Sequence, residues 1–147
     1  MIFTIPGEPQ GKQRPRYSRK TGVMYTPSET ASYEKEVKRL YYAQGGKQLP
    51  WTKIVRAEGR EVECARAYKV EIWTFIAVPK SVPEWKKKLM MWQTIIPTKK
   101  PDVDNAAKII MDALNGEAWK DDSAVADLIV HKRYDLVPRV VVEIEEI

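Results

Sequence analysis

Between Ala67 and Val78, apolar and polar residues alternate. Tyr68, Val70, Ile72, Ile76 and Val78 fall on one side, and Lys69 and Glu71 on the other. Side chains of an extended chain point to opposite faces in turn, so a period of two identifies a strand with one buried face. Pro79 ends it. This strand commits the chain to a sheet, and the segments around it set the class. Residues 2–5 read as a short strand. A helix begins near Pro27, where Thr26-Pro27-Ser28-Glu29 has the form of a capping box with Pro at the first helical position. Tyr33, Val37, Leu40 and Tyr41 then recur at helical spacing, until Gly45-Gly46 stops it. Ser81 can cap a helix over residues 83–92, with Trp85, Leu89 and Trp92 on one side. Pro97 to Pro101 is a break. A helix follows over residues 103–114, with Ala106, Ile110, Ala113 and Leu114 inward and Asn115-Gly116 as its stop. Strands at 125–134 and 137–144 come last. Their connection is too short for a crossover, which predicts an antiparallel hairpin. The order strand, helix, strand, helix, helix, strand, strand predicts an α+β fold: one domain over residues 1–147, with a mixed, largely antiparallel sheet packed with helices. Residues 47–65 fit no single pattern.

Bulk properties remove several classes. A 44% hydrophobic content suffices for a core, and no apolar run approaches the roughly 20 residues of a membrane helix. The apolar start at Met1 to Pro6 is too short for a signal peptide and has no basic residue before it. One cysteine, Cys64, excludes an internal disulfide, and with a single histidine it also excludes a Cys/His zinc site. A cytoplasmic, reducing location is the resulting expectation.

The net charge of +5 and pI of about 9.2 favour a polyanionic partner, and the distribution of charge sharpens this. Gly11 to Lys20 carries Lys12, Arg14, Arg16, Arg19 and Lys20 with no acid, inside a proline- and glycine-punctuated loop or hairpin over residues 6–25. Loops this long in a compact domain are usually functional or disordered. The mixture of arginines, an aromatic and turn formers points to phosphate contact. Lys99-Lys100 adds a second basic cluster, while Lys86 to Lys88 reads equally as a solvated face.

The chemistry concentrates at Pro101-Asp102-Val103-Asp104-Asn105-Ala106-Ala107-Lys108, which leads through a helix to Trp119-Lys120-Asp121-Asp122. In an extended approach after Pro101, Asp102 and Asp104 point the same way, so they can converge. Asp104 is also placed to cap the helix, and Lys108 lies one turn further along its face. Close carboxylates repel unless a cation neutralises them. Mg²⁺ prefers oxygen ligands, and there it can polarise a phosphoryl oxygen and lower the pKa of a bound water. Lys108 can stabilise charge in the transition state. Asp122, or its neighbour Asp121, can return to the pair as a third carboxylate. The plain structural alternatives are a helix cap for Asp104 and turn residues for Asp121-Asp122. Asp112 reads as an i,i+4 partner of Lys108. Asp127 reads as a sheet-surface residue, and the single histidine, His131, as a strand-surface or DNA-adjacent residue rather than a catalyst.

The run Asp102-Val103-Asp104-Asn105-Ala106-Ala107-Lys108, then Asp112-Ala113-Leu114, Gly116, Trp119 and Asp121-Asp122, resembles the core of the RusA-type Holliday-junction resolvases. The N-terminal Phe3-Thr4-Ile5-Pro6-Gly7-Glu8-Pro9 and Gly11 to Arg16 are similar to members of the same family. The strong likeness covers about residues 97–135 and a looser one 1–44, while residues 45–65 look like an insertion. The resemblance implies a Mg²⁺-dependent endodeoxyribonuclease, with Mn²⁺ as a possible substitute, that resolves four-way junctions in recombination and repair by paired symmetric nicks. It implies Asp102, Asp104 and Asp122 as metal-binding catalytic carboxylates and Lys108 as the catalytic lysine. It also implies a homodimer, whose symmetry matches that of the junction. Lys12, Arg14, Arg16, Arg19, Lys20, Lys99 and Lys100 would bind phosphates, with an affinity that falls steeply as salt rises.

Two other readings compete. A non-catalytic DNA-binding module explains the basic loop but not the acidic cluster beside it. A metal-dependent phosphoryl hydrolase of small molecules would place the first Asp at the end of an apolar strand, whereas here Lys99-Lys100-Pro101 precedes it. A restriction-type Glu-x-Lys arm fails on spacing, because Lys108 is four residues after Asp104.

Overall fold

The computed structural model describes residues 1–147. Its framework is a four-stranded sheet built from β1 (Ile2–Pro6), β6 (Tyr68–Ala77), β7 (Val125–Asp135) and β8 (Arg139–Glu146), in the order β1-β8-β6-β7. The other elements, in chain order, are the short strands β2 (Arg16–Tyr17) and β3 (Met24–Tyr25), helix α1 (Ser28–Ala43), strands β4 (Thr52–Ala57) and β5 (Arg60–Ala65), and helices α2 (Glu84–Met91) and α3 (Val103–Leu114).

The alternation in β6 is strict: Tyr68, Val70, Ile72, Thr74 and Ile76 are buried, and the residues between them are half-exposed. The buried side meets α1 and α3. Phe3 and Ile5 of β1, Val37 and Leu40 of α1, Ile109, Ile110 and Leu114 of α3 and Val140 and Val142 of β8 share one core with Trp119. Each such side chain contributes about 1.5–3 kcal/mol by leaving water. A smaller cluster of Ile76, Met90 and Tyr134 holds α2 against the far end of the same face. The opposite face carries no helix. There Trp73 stacks on His131, with ring centroids 3.7 Å apart, and His131 Nε2 lies 3.0 Å from Glu71 Oε1. His131 is thus a strand-surface residue, as its sequence position suggests.

The mixed, largely antiparallel α+β architecture matches expectation, but one connection does not. β7 and β8 are not hydrogen-bonded neighbours. β6 lies between them, parallel to β7 and antiparallel to β8. A three-residue link, Leu136-Val137-Pro138, steps over the end of β6, where Val78 N donates to Asp135 O. The link length excludes a crossover but does not require direct pairing. The long path through α2 and α3 is what allows β6 and β7 to run parallel. The caps also differ in detail. Pro27 and Pro83, rather than Thr26 and Ser81, precede α1 and α2, and neither helix has a side-chain cap.

Residues 47–65, which fit no single pattern, contain the β4–β5 hairpin. Its turn is at Glu58-Gly59, both with positive φ, and both its faces are largely exposed. Its base is tied to the main sheet by Lys53 and Arg66, which both pair with Glu146.

Candidate active site

The basic loop docks onto the start of α3. Lys12 N donates to Asn105 O at 2.9 Å. Gly11 sits so close that a Cβ there would meet the Cβ atoms of Asn105 and Pro101 at 3.2 Å, tighter than ordinary packing. A side chain at that approach would require Asn105 and Pro101 to shift by a few tenths of an ångström. Between the loop and the helix runs an open cleft of about 950 Å³, whose walls include Lys12, Arg14, Arg16, Lys100, Asp102 and Asn105. Arg19 and Lys20 are exposed near the tip of the β2–β3 hairpin, and Lys99 is exposed beside Lys100.

Lys12 has other work. Its ammonium pairs with Glu34 of α1 and, at 3.0 Å, with Asp112 of α3. It therefore pins the loop to two helices. Asp112, expected to pair with Lys108, pairs with Lys12 instead.

A second cleft, of about 430 Å³, lies on the other side of the α3 N-terminus. Asp104, Lys108, Asp112 and Asp122 line it, with Met111 and Leu128 among its apolar walls. Asp122 reaches it because the chain after α3 turns back sharply. Trp119 is fully buried and its Nε1 donates to Asn115 Oδ1 at 2.8 Å, while Gly116 N donates to Trp119 O at 2.7 Å. This anchor sets the 3-10 turn Asp122–Ala124 beside the helix start. Asp121 caps that turn by accepting from Ser123 N at 3.0 Å. The Ser123 amide holds the Asp121 carboxyl below the usual carboxylate range. The hydrogen bond with Asp121, and then the charges of Asp121 and Asp112, hold Asp122 above it.

Asp102 and Asp104 do not converge. Asp102 is the N-cap of α3, without a side-chain cap bond, and it lines the basic cleft. Asp104 already lies in the first helical turn and lines the second cleft. The extended approach ends one residue too early, and side chains two apart on a helix do not face each other. Within the chain, no three His, Cys, Asp or Glu side chains stand close enough to enclose a metal ion. Asp102, Asp104 and Asp122 therefore do not form one closed cage. Mg²⁺ keeps several waters and takes only one or two carboxylates from a protein, so the all-oxygen wall of Asp104 and Asp122 fits a hydrated ion.

One site-supporting residue escaped the sequence reading. Lys132 is only 9% exposed, and its Nζ donates to Lys99 O and, at 3.0 Å, to Pro101 O. It holds the segment that presents Lys99, Lys100 and Asp102. The signal was legible, because 130, 132 and 134 share the inward side of the strand and Lys132 is the one charge among them.

The protein described as Uncharacterized protein YqaN of Bacillus subtilis (strain 168) is 38% identical over 148 residues, spanning 99% of this chain and 95% of that one. The sequence profile of the family Endodeoxyribonuclease RusA matches residues 6–145, which takes in both clefts, the basic loop and nearly every element of the fold. With that match on nearly its whole length, the chain belongs to the RusA family of endodeoxyribonucleases.

Proposed function

We infer that the protein is a divalent-metal-dependent endonuclease that resolves four-way DNA junctions by paired, symmetric nicks. The observation that carries this reading is the joint lining of one cleft by Asp104, Lys108 and Asp122, beside a basic cleft that holds Asp102. Arg14, Arg16 and Lys100 bind the phosphate backbone along the basic cleft, helped by Arg19, Lys20 and Lys99 at its margins. That binding brings a phosphodiester over the α3 N-terminus. Asp104 and Asp122 would hold a hydrated Mg²⁺ or Mn²⁺, while Asp102 stays on the wall of the basic cleft. Such an ion, when bound, polarises a phosphoryl oxygen and lowers the pKa of a coordinated water. Lys108 sets its ammonium against the negative charge that develops on the phosphoryl oxygens. Lys12 is removed from the set of phosphate contacts, because its charge is spent on Glu34 and Asp112. Two copies related by a two-fold axis match the symmetry of the junction and permit the two nicks to be paired.

The test is cleavage of labelled synthetic four-way junctions, with and without Mg²⁺ or Mn²⁺, beside a linear duplex. The expected result is metal-dependent cutting of the junction. Asp104→Asn should lower the rate by at least about 100-fold, the scale of removing a group that supports transition-state charge, while junction binding persists. Junctions left intact with either metal, or cut equally well by Asp104→Asn, would overturn the reading.

A further inference from the structure

Behind the 3-10 turn that carries Asp122 lies a separate cleft of about 230 Å³, at the base of the β4–β5 hairpin. Trp51, Tyr68 and Ala124 are among its apolar walls, and Arg66, Lys120 and Asp121 supply charge. Tyr68 is only 4% exposed, yet its hydroxyl has no hydrogen-bond partner. A buried hydroxyl left unpaired is costly, and it can both donate and accept. Arg66 is not free to clamp an anion. Its guanidinium bonds Glu146 at 2.5 Å and Pro50 O at 2.8 Å, and Asp121 adds negative charge to the same wall. A flat, neutral ring with a polar edge suits such a site better than a phosphate does.

Position narrows the ligand further. Asp121 lines this cleft and Asp122 lines the one with Asp104 and Lys108, so consecutive residues of one turn contribute to the walls of both. A strand whose phosphodiester sat at Asp104 and Asp122 would have its neighbouring nucleotide beside the turn that walls this cleft. Nucleotides at the crossover of a junction are the ones most easily drawn out of the stack, since an already unpaired base costs least to extrude.

We propose that the cleft between Trp51 and Tyr68 holds the nucleobase next to the scissile phosphodiester, stacked on Trp51 and hydrogen-bonded by the Tyr68 hydroxyl. The assignment rests on the nuclease reading above. It gives the β4–β5 segment a role in substrate selection, because the base of that hairpin forms one wall.

The test compares a four-way junction carrying its natural bases with one carrying an abasic nucleotide beside each cut site. Wild type should cut the abasic junction about tenfold more slowly, the effect of one lost base–aromatic stack. Trp51→Ala should slow cutting of the natural junction by a similar factor and be indifferent to the abasic change, and Trp51→Phe should restore most of the rate. Tyr68→Phe should weaken discrimination among the four bases at that position without lowering the melting temperature. If the abasic nucleotide costs Trp51→Ala as much as it costs wild type, the base is not bound here, although the protein remains a nuclease. A fall of more than about 4 °C in Tyr68→Phe would reveal a structural partner for the hydroxyl and overturn its role. If wild type cuts no junction at all, the nuclease reading fails and this assignment fails with it.

Discussion

Lys132 shows how one side chain can decide the shape of a site without lining it. Its ammonium lies under the sheet edge and is met by two main-chain carbonyls of the segment before Asp102. Replacing it with Met keeps the length and removes both bonds, leaving Lys99 O and Pro101 O without that donor. Lys132→Met should therefore lower stability by about 1–3 kcal/mol in urea unfolding. It should also weaken junction binding, because the segment that carries Lys99, Lys100 and Asp102 is no longer held. An unchanged unfolding midpoint would show that the segment is supported elsewhere. The same residue marks what local pattern contains. Its inward position follows from strand parity, but the identity of its partners does not, since they come from a loop distant in sequence.

Two sets of polar contacts tie α1 to α3 and to the turn that follows it, in addition to their shared core. Lys12, from the basic loop, bridges Glu34 and Asp112. Lys12→Ala would leave those two carboxylates facing each other in partly buried surroundings and should cost about 1–3 kcal/mol of stability, read as a drop in the urea midpoint. In the turn after α3, Glu117 accepts from the Tyr42 hydroxyl at 2.6 Å and from Lys38 Nζ at 3.1 Å. Donation from Tyr42, and then from Lys38, holds the Glu117 carboxyl below its ordinary 4.5. A carboxyl with a lowered folded pKa confers stability that is fully present above pH 4.5 and is lost as pH falls through the lowered value. Glu117→Gln should therefore narrow the difference in urea midpoint between pH 7 and pH 3. An unaltered difference would mean that the contact adds nothing to folding. Helix stripes were readable: Tyr33, Val37, Leu40 and Tyr41 are all buried, as their spacing demands. The ends of the helices were less so, because a proline that fixes an extended approach also displaces the cap by a residue.

Over the whole molecule, charge is divided by role. The basic cleft gathers Arg14, Arg16 and Lys100 on one side of the α3 start, and the carboxylates Asp104, Asp112 and Asp122 share the other. Arg14→Ala and Arg16→Ala should leave stability unchanged and each reduce the salt dependence of junction binding by about one phosphate contact, measured as the slope of log affinity against log salt. Slopes equal to that of wild type would place these arginines off the DNA. The two-fold pairing proposed for cleavage predicts twice the chain mass in sedimentation equilibrium at working concentration, and a monomer there would remove the basis for paired nicks.

The faces of β6 and the buried stripes of α1 and α3 follow from the order of residues alone, because period two and helical spacing are properties of the backbone. The Asp102 to Lys108 run and the family to which it belongs were equally legible, being local and contiguous. Strand order was not, since a three-residue link can join neighbours or step across a strand, and only burial of the alternating face of β6 places it between β7 and β8. Nor was the partition of the aspartates. Whether Asp102 and Asp104 share a wall depends on the residue at which extended chain becomes helix. What brings Asp122 to Asp104 is the burial of Trp119, a long-range packing event that no spacing records.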